Sequence, residues 1–101
     1  MTLHTYNKSL DAGATRLHTC LRTLASGDGL LLIEDGVYLA PQMHADTALR
    51  AAVPDGVTLY ALSPDLAARG LSAKLPADFS GIDYPGFVQL CLAHPRIVNW
   101  N

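Results

Sequence analysis

An uninterrupted apolar run in the middle of the chain constrains the fold more than any other feature. Residues Leu30–Glu34 read LLLIE, with Gly29 before the run and the turn-forming sequence EDG beginning at Glu34. Four consecutive apolar residues do not alternate between a core and water, so the run predicts a strand that is buried on both faces of a sheet. Such a strand requires helices on both sides of that sheet.

Segments typical of strands and helices alternate around this run. Residues Thr2–Tyr6 predict a strand, and leucines spaced three and four residues apart predict a first helix over Ala14–Ala25, ended by SGDG. After Leu30–Glu34 the sequence predicts a turn with a short extended piece, then a second helix that stops at Pro54. A β-branched and aromatic segment, Gly56–Leu62, predicts the next strand.

The C-terminal third continues the alternation. Ser63 is the expected cap of a short helix that stops at Gly70. The sequence IDY, Ile82–Tyr84, predicts a short strand, and a final helix follows that Pro95 ends. The tail RIVNWN is compatible with an extended or a disordered segment. We therefore expect an α/β fold: one small three-layer domain over residues 1–101, with a mostly parallel sheet flanked by helices.

Composition limits the partners that such a domain can have. Half of the residues are apolar and 16% are charged, which leaves apolar surface for a partner subunit and favours an oligomer. A net charge of -2 gives no long-range attraction for nucleic acid or an anionic membrane. The N-terminus does not read as a signal peptide, and LLLI is too short to span a bilayer. We expect a cytoplasmic protein that binds neither nucleic acid nor a membrane directly.

Patterns that would indicate a cofactor or a metal are not found in the sequence. Neither GxGxxG nor a Walker A motif occurs. The histidines stand apart, and none has close zinc-ligand spacing with a cysteine: His4, His18, His44 and His94. We predict no cofactor and no metal site.

Two polar residues merit consideration as site candidates. Asp35 directly follows the predicted buried strand, and open parallel sheets bind ligands at the carboxyl ends of their strands. The alternative is that Asp35 and Gly36 only form a turn, since Asp-Gly is a common turn dipeptide. Ser63 lacks the G-x-S-x-G context of a hydrolase nucleophile and is better explained as a helix cap.

The two cysteines differ in their predicted surroundings. On a helical projection Cys20 lies beside the stripe formed by Leu17, Leu21 and Leu24, which predicts partial exposure. Arg16, one turn earlier, would favour its thiolate, which is the nucleophilic form of the side chain. Cys91 lies within the apolar stripe of the last helix and is predicted to be a core residue. The residues alone leave open whether Cys20 is a packing residue or a working thiol.

Several phrases in a fixed order resemble a known family. LHTYNKS, LLLIEDGVYLA, LYALSPDLAARGLS, IDYPGFVQL and HPRIVNW follow one another almost from end to end of the chain. Together they resemble the TusB/DsrH family of small sulfur-relay subunits. The resemblance implies a compact α/β domain of the DsrE/F/H-like kind. The sequence departs from the family's usual spacing at PQMHADTALRAAVP and at the terminal Asn101.

The resemblance also implies partners and a function. Such chains assemble with a TusC/DsrF-like and a TusD/DsrE-like subunit into a heterohexamer with two copies of each, and a TusE/DsrC-like protein accepts the sulfur. The complexes pass persulfide sulfur between proteins, for 2-thiolation of the tRNA wobble uridine or for dissimilatory sulfur oxidation. This chain would be a sulfurtransferase subunit and not a stand-alone enzyme, with the principal sulfur-accepting cysteine on the TusD/DsrE-like partner.

The position of Cys20 resembles the DsrH type, whose members carry a cysteine in the first helix. This makes Cys20 the candidate persulfide carrier and Arg16 the candidate stabiliser of its thiolate. The alternative is a non-catalytic subunit that completes the complex and shapes the surface on which the acceptor docks.

Overall fold

Strands and helices alternate along the whole chain. The computed structural model describes all 101 residues, Met1–Asn101. The strands are β1 (Thr2–Tyr6), β2 (Gly29–Leu32), β3 (Thr58–Leu62), β4 (Phe79–Ile82) and β5 (Arg96–Trp100). The α-helices are α1 (Leu10–Thr23), α2 (Leu39–Ala45), α3 (Thr47–Ala51), α4 (Ser63–Ala68) and α5 (Tyr84–Ala93). Two 3₁₀ helices, Glu34–Tyr38 and Ser72–Lys74, complete the structure.

The five strands form one sheet in the order β4-β3-β2-β1-β5, and every neighbouring pair is parallel. From β1 to β4 the chain moves steadily toward one edge, and α5 then returns it to the opposite edge beside β1. Because parallel crossovers are right-handed, this reversal places α5 on the other face of the sheet from α1 to α4. The predicted α/β fold with a sheet between helices is confirmed.

The first face of the sheet carries the main core. Seventeen buried residues form one cluster, which joins the sheet to α1, α2 and α4. Tyr6, Leu32 and Ala61 are paired across the central strands, so their side chains point to this face together. The intervening Leu31, on the opposite face of β2, is also fully buried. The strand predicted from LLLIE is therefore covered on both faces, as its sequence requires.

The second face is covered by α5 alone. Leu3, Leu31 and Leu62 are buried there, outside the main cluster. At the end of α5, the ring of His94 approaches Gly29 closely: a Cβ atom at Gly29 would lie 3.5 Å from His94 Nε2. No residue of α5 itself is buried. A single helix thus makes a thin layer on this side of the domain.

Helix α1 begins earlier than predicted and has a kink. It starts at Leu10 and not at Ala14, and Gly13 has non-helical torsion angles (φ -143°, ψ 28°) within it. The hydroxyl of Tyr6 donates a hydrogen bond to the Gly13 carbonyl at 2.9 Å. A Cβ atom at Gly13 would lie 2.7 Å from that hydroxyl, so only glycine lets the helix approach β1 this closely.

The segment after β2 is helical, whereas the sequence predicted a turn and an extended piece. A 3₁₀ helix begins at Glu34 and leads directly into α2. The backbone at Gly36 lies against the Tyr6 carbonyl, and a side chain there would collide with it. The predicted second helix is divided at Asp46, whose carboxylate accepts hydrogen bonds from the amides of Ala48 and Leu49 and caps α3.

Three other boundaries differ from the predictions. Ser63 is the first residue of α4 and not its cap, because Leu62 occupies the capping position. The strand expected at IDY is β4, shifted toward the N-terminus to Phe79–Ile82. The tail is ordered as β5, since Arg96–Trp100 pairs with β1 along its whole length.

We predict that Tyr6→Phe destabilises the domain by about 1–3 kcal/mol, because it leaves the buried Gly13 carbonyl without its hydrogen bond. Tyr84→Phe is the matched control, since Tyr84 is 58% exposed. Urea unfolding followed by circular dichroism measures both variants. Equal unfolding midpoints for Tyr6→Phe and the parent chain would contradict the stabilising role of this hydrogen bond.

Candidate functional site

Cys20 lies in the core between α1 and the sheet. Its exposed fraction is 0%, and it belongs to the same buried cluster as Leu17 and Tyr6. Burial raises the pKa of the Cys20 thiol to about 12, because an apolar environment disfavours the charged thiolate. Cys20 is therefore a neutral thiol at physiological pH in the folded chain.

The partial exposure predicted for Cys20 is wrong. The buried stripe of α1 includes Gly13, Leu17, Cys20 and Leu21, so it is wider than the three leucines indicated. Arg16 is exposed one turn before Cys20, and its charge does not offset the effect of burial on the thiol. The roles predicted for the two residues, sulfur carrier and thiolate stabiliser, stay predictions.

Cys91 has the opposite surroundings from those predicted. It is partly exposed on α5 and does not lie in the core. The reason is topological: α5 lies alone on the second face, so its inner side is only half-covered. The order of exposure is thus reversed, and Cys91 is the more accessible of the two thiols.

The acidic candidate Asp35 lies at the carboxyl end of β2, within the 3₁₀ helix. Its carboxylate accepts a hydrogen bond from Arg69 Nε at 3.0 Å, and its side chain is 60% exposed. Next to it, the Glu34 amide donates to Asp65 Oδ2 at 2.6 Å, and Glu34 has a positive φ of 50°. These contacts connect both ends of α4 to the segment that follows β2, through Asp65 in its first turn and Arg69 at its C-cap. No group of three or more His, Cys, Asp or Glu side chains could hold a metal ion.

A buried polar network at the other end of the sheet could not be foreseen from the sequence. Asp28 Oδ2 and His4 Nε2 lie 3.1 Å apart, and Trp100 Nε1 donates to His4 Nδ1 at 3.1 Å. Asp28 also accepts from the amides of Thr2 and Ala25. Burial opposes the charge on Asp28, but these amides and His4 outweigh it and lower the pKa of the carboxyl.

The outer side of α5 exposes large apolar side chains at helical spacing. Tyr84, Val88 and Leu92 are 58%, 57% and 76% exposed, and they follow one another at intervals of four residues. Ile97 on β5 is also exposed and belongs to the second face of the sheet. We call these four residues the α5 face.

None of the helices combines the length and the apolar character that a membrane span requires.

The apolar surface that the composition led us to expect lies at the α5 face. Helix α5 contains no Asp, Glu, Lys or Arg, although half of its circumference faces solvent. Exposed apolar patches of this kind on a small domain indicate protein-protein contact. Sequence periodicity did not separate the inner side of α5 from its outer side, because both sides are apolar.

Comparison with known proteins gives a consistent result. The model of the family described as DsrH like protein matches residues 11–97. Protein TusB of Escherichia coli (strain K12 / DH10B) is 38% identical over 98 residues, which cover 97% of this chain and 99% of that protein. Protein TusB of Pectobacterium parmentieri is 37% identical over 84 residues, which cover 83% of this chain and 86% of that protein.

We predict that a water-soluble thiol reagent modifies Cys91 in the folded chain at least about tenfold faster than Cys20. The reaction needs a thiol that is both exposed and ionised, and Cys20 is neither. Raising the pH from 7 to 9 leaves Cys20 slow, because its pKa is raised to about 12. Mass spectrometry of the two cysteine peptides measures the rates. Cys20→Ala and Cys91→Ala identify each signal, and denaturant must bring both thiols to similar rates. Fast native modification of Cys20 would contradict its burial.

Proposed function

Because the chain belongs to the TusB/DsrH family of sulfur-relay proteins, we propose that it is a non-catalytic subunit of a sulfurtransferase complex. The complex passes persulfide sulfur between proteins, either for 2-thiolation of the tRNA wobble uridine or in dissimilatory sulfur oxidation. Its other subunits are a TusC/DsrF-like and a TusD/DsrE-like chain, with two copies of each of the three in a heterohexamer. A TusE/DsrC-like protein takes the sulfur.

The observation that carries this proposal is the burial of Cys20. In a relay step the acceptor thiolate attacks the sulfane sulfur of a donor persulfide, the sulfur-sulfur bond breaks, and the donor leaves as a thiolate. The acceptor becomes the new persulfide, so no external oxidant or reductant is consumed. A thiol that is 0% exposed and protonated at neutral pH is poorly suited to this attack. The sulfur-carrying cysteine is then expected on a partner subunit.

The α5 face supports a role in assembly. A helix with no buried residue and no Asp, Glu, Lys or Arg gains stability when a second protein covers its outer side. The partner we propose for this surface is a sister subunit of the relay, with an apolar surface of its own. In this arrangement the chain completes the hexamer and shapes the docking surface for the sulfur acceptor.

A second candidate function keeps Cys20 as the persulfide carrier, with Arg16 as its electrostatic helper. It is favoured by the position of Cys20 in the first helix, which resembles the DsrH type. In that case the part of α1 after Gly13, which carries Cys20, must move away from the sheet when the donor docks. The glycine kink at Gly13 is the weakest point of the helix and the place where such a movement would start.

Sulfur mapping separates the two functions. The chain is purified with its TusC/DsrF-like and TusD/DsrE-like partners, and the complex is treated with a persulfide donor. We predict that neither the Cys20 peptide nor the Cys91 peptide gains the mass of one sulfur atom, while a partner cysteine does. The complex with Cys20→Ala is the control and keeps its transfer rate within about twofold. Sulfur on the Cys20 peptide, with transfer lost in Cys20→Ala, would establish the second candidate instead.

We predict that Val88→Glu and Leu92→Glu each weaken binding to the partner subunits by at least about tenfold, because a charge replaces apolar contact at the interface. Ala67→Glu is the matched control: it places the same charge on an exposed position of α4, on the first side of the sheet. Co-purification and analytical ultracentrifugation measure assembly, and circular dichroism checks the fold. Equal assembly of the two α5 variants and the control would show that sister subunits bind elsewhere.

A further inference from the structure

The hydrogen bonds around His4 determine its protonation state. The indole N–H of Trp100 can only donate, so His4 Nδ1, 3.1 Å away, must present a lone pair. The carboxylate of Asp28 can only accept, so His4 Nε2 must carry the proton. We therefore assign the neutral imidazole with its hydrogen on Nε2. The two aromatic rings are within 20° of parallel, which suits an in-plane hydrogen bond between them.

From this geometry we propose that His4 is a proton-sensitive anchor for the C-terminal strand. Protonation of the ring places a hydrogen on Nδ1, where it meets the indole N–H of Trp100. Rotating the ring does not help, because either nitrogen of an imidazolium is a donor. Trp100 must then leave the ring, and the end of β5 loses its partly buried side-chain hydrogen bond to β1.

The neighbouring groups favour this response. Asp28 is the carboxylate in contact with the ring, and it can pair with the imidazolium as well as with the neutral form. The residues paired with His4 across the strands are Leu30 and Val98, both apolar.

Nearby basic groups are turned to solvent. Arg96, which lies on the same side of β5 as Trp100, is exposed. Arg22, in the last turn of α1, is exposed as well. The group that opposes a proton on His4 Nδ1 is therefore the indole N–H of Trp100, which is uncharged and able to move.

The change is confined to one edge of the domain. Strand β5 is the edge strand, and β1 is its single neighbour. The backbone ladder from Thr2↔Arg96 to Tyr6↔Trp100 remains available after Trp100 leaves the ring, as does the hydrogen bond from Thr5 to Asn99. Protonation thus loosens the end of β5 without removing the strand. Asp28 keeps its charge in mild acid because its pKa is lowered, so it remains available to pair with the imidazolium.

Nuclear magnetic resonance of the full chain tests the proposal. Nitrogen shifts of the His4 ring report its tautomer, and hydrogen exchange of the single indole N–H reports the hydrogen bond of Trp100. At pH 8 we expect the Nε2–H tautomer and a protected indole. In a titration from pH 8 to pH 5, indole exchange, corrected for its intrinsic pH dependence, accelerates at least about tenfold once the nitrogen shifts show that His4 has taken its second proton. Backbone amides of β2 and β3 keep their protection.

The variant His4→Gln is the matched control. Its carboxamide can accept from Trp100 and donate to Asp28, but it does not titrate. Corrected indole protection in this variant should stay constant over the same pH range. The proposal is overturned by an Nδ1–H tautomer, by unchanged indole protection after His4 is protonated, or by a His4 that stays neutral until the domain unfolds. All three observations are made on the parent chain, so they decide the matter even if the variant does not fold.

Discussion

The fold depends on a single buried carboxylate at the amino-terminal edge of the sheet. Asp28 accepts hydrogen bonds from the amide of Thr2 in β1, from the amide of Ala25 after α1, and from His4. Through His4 the network continues to Trp100 in β5. The three donors come from parts of the chain that must meet if β1 is to lie beside β2 in the sheet. Without the carboxylate, each of them would be buried or half-buried with no acceptor, at a cost comparable to its lost hydrogen bond.

The charge on Asp28 gives this network a definite dependence on pH. Burial alone would raise the pKa of the carboxyl, but the two amides and His4 lower it below its ordinary value. Its contribution to stability is therefore complete above the unfolded-state pKa and is lost as the pH falls through the lower, folded-state value. The network therefore holds the sheet at neutral pH, where Asp28 is ionised.

The elements that could be predicted from the sequence are those whose pattern reflects local burial. The run Leu30–Glu34 predicted a strand covered on both faces, and Thr2–Tyr6 was predicted with the bounds that the structure has. The helical form of Asp35–Pro41 could not be predicted, because it involves the contact of Gly36 with Tyr6, 30 residues earlier in the chain. The polar network could not be predicted from the sequence either, since His4 is 24 residues from Asp28 and 96 from Trp100.

The reversed exposure of the two cysteines has the same origin as the exposed apolar surface. Periodicity identifies which side of a helix is apolar, but the depth of burial depends on how many layers cover that side. Helix α1 lies among several helices over the large cluster, so Cys20 is buried although it lies at the margin of the apolar stripe of α1. Helix α5 is the single cover of the second face, so even its inward residues are only half-buried.

The unequal layers connect the fold to the proposed function. A chain that must hand on sulfur needs an accessible thiolate, and the core around Cys20 opposes both access and ionisation. A chain that completes a larger assembly needs an apolar surface that its own fold leaves uncovered, and the return of α5 across the second face produces one. None of the other described helices covers the outer side of α5, so this side is free to be buried by another protein. The apolar outer side of α5, which the domain leaves uncovered, is therefore the feature that suits this chain to be a subunit.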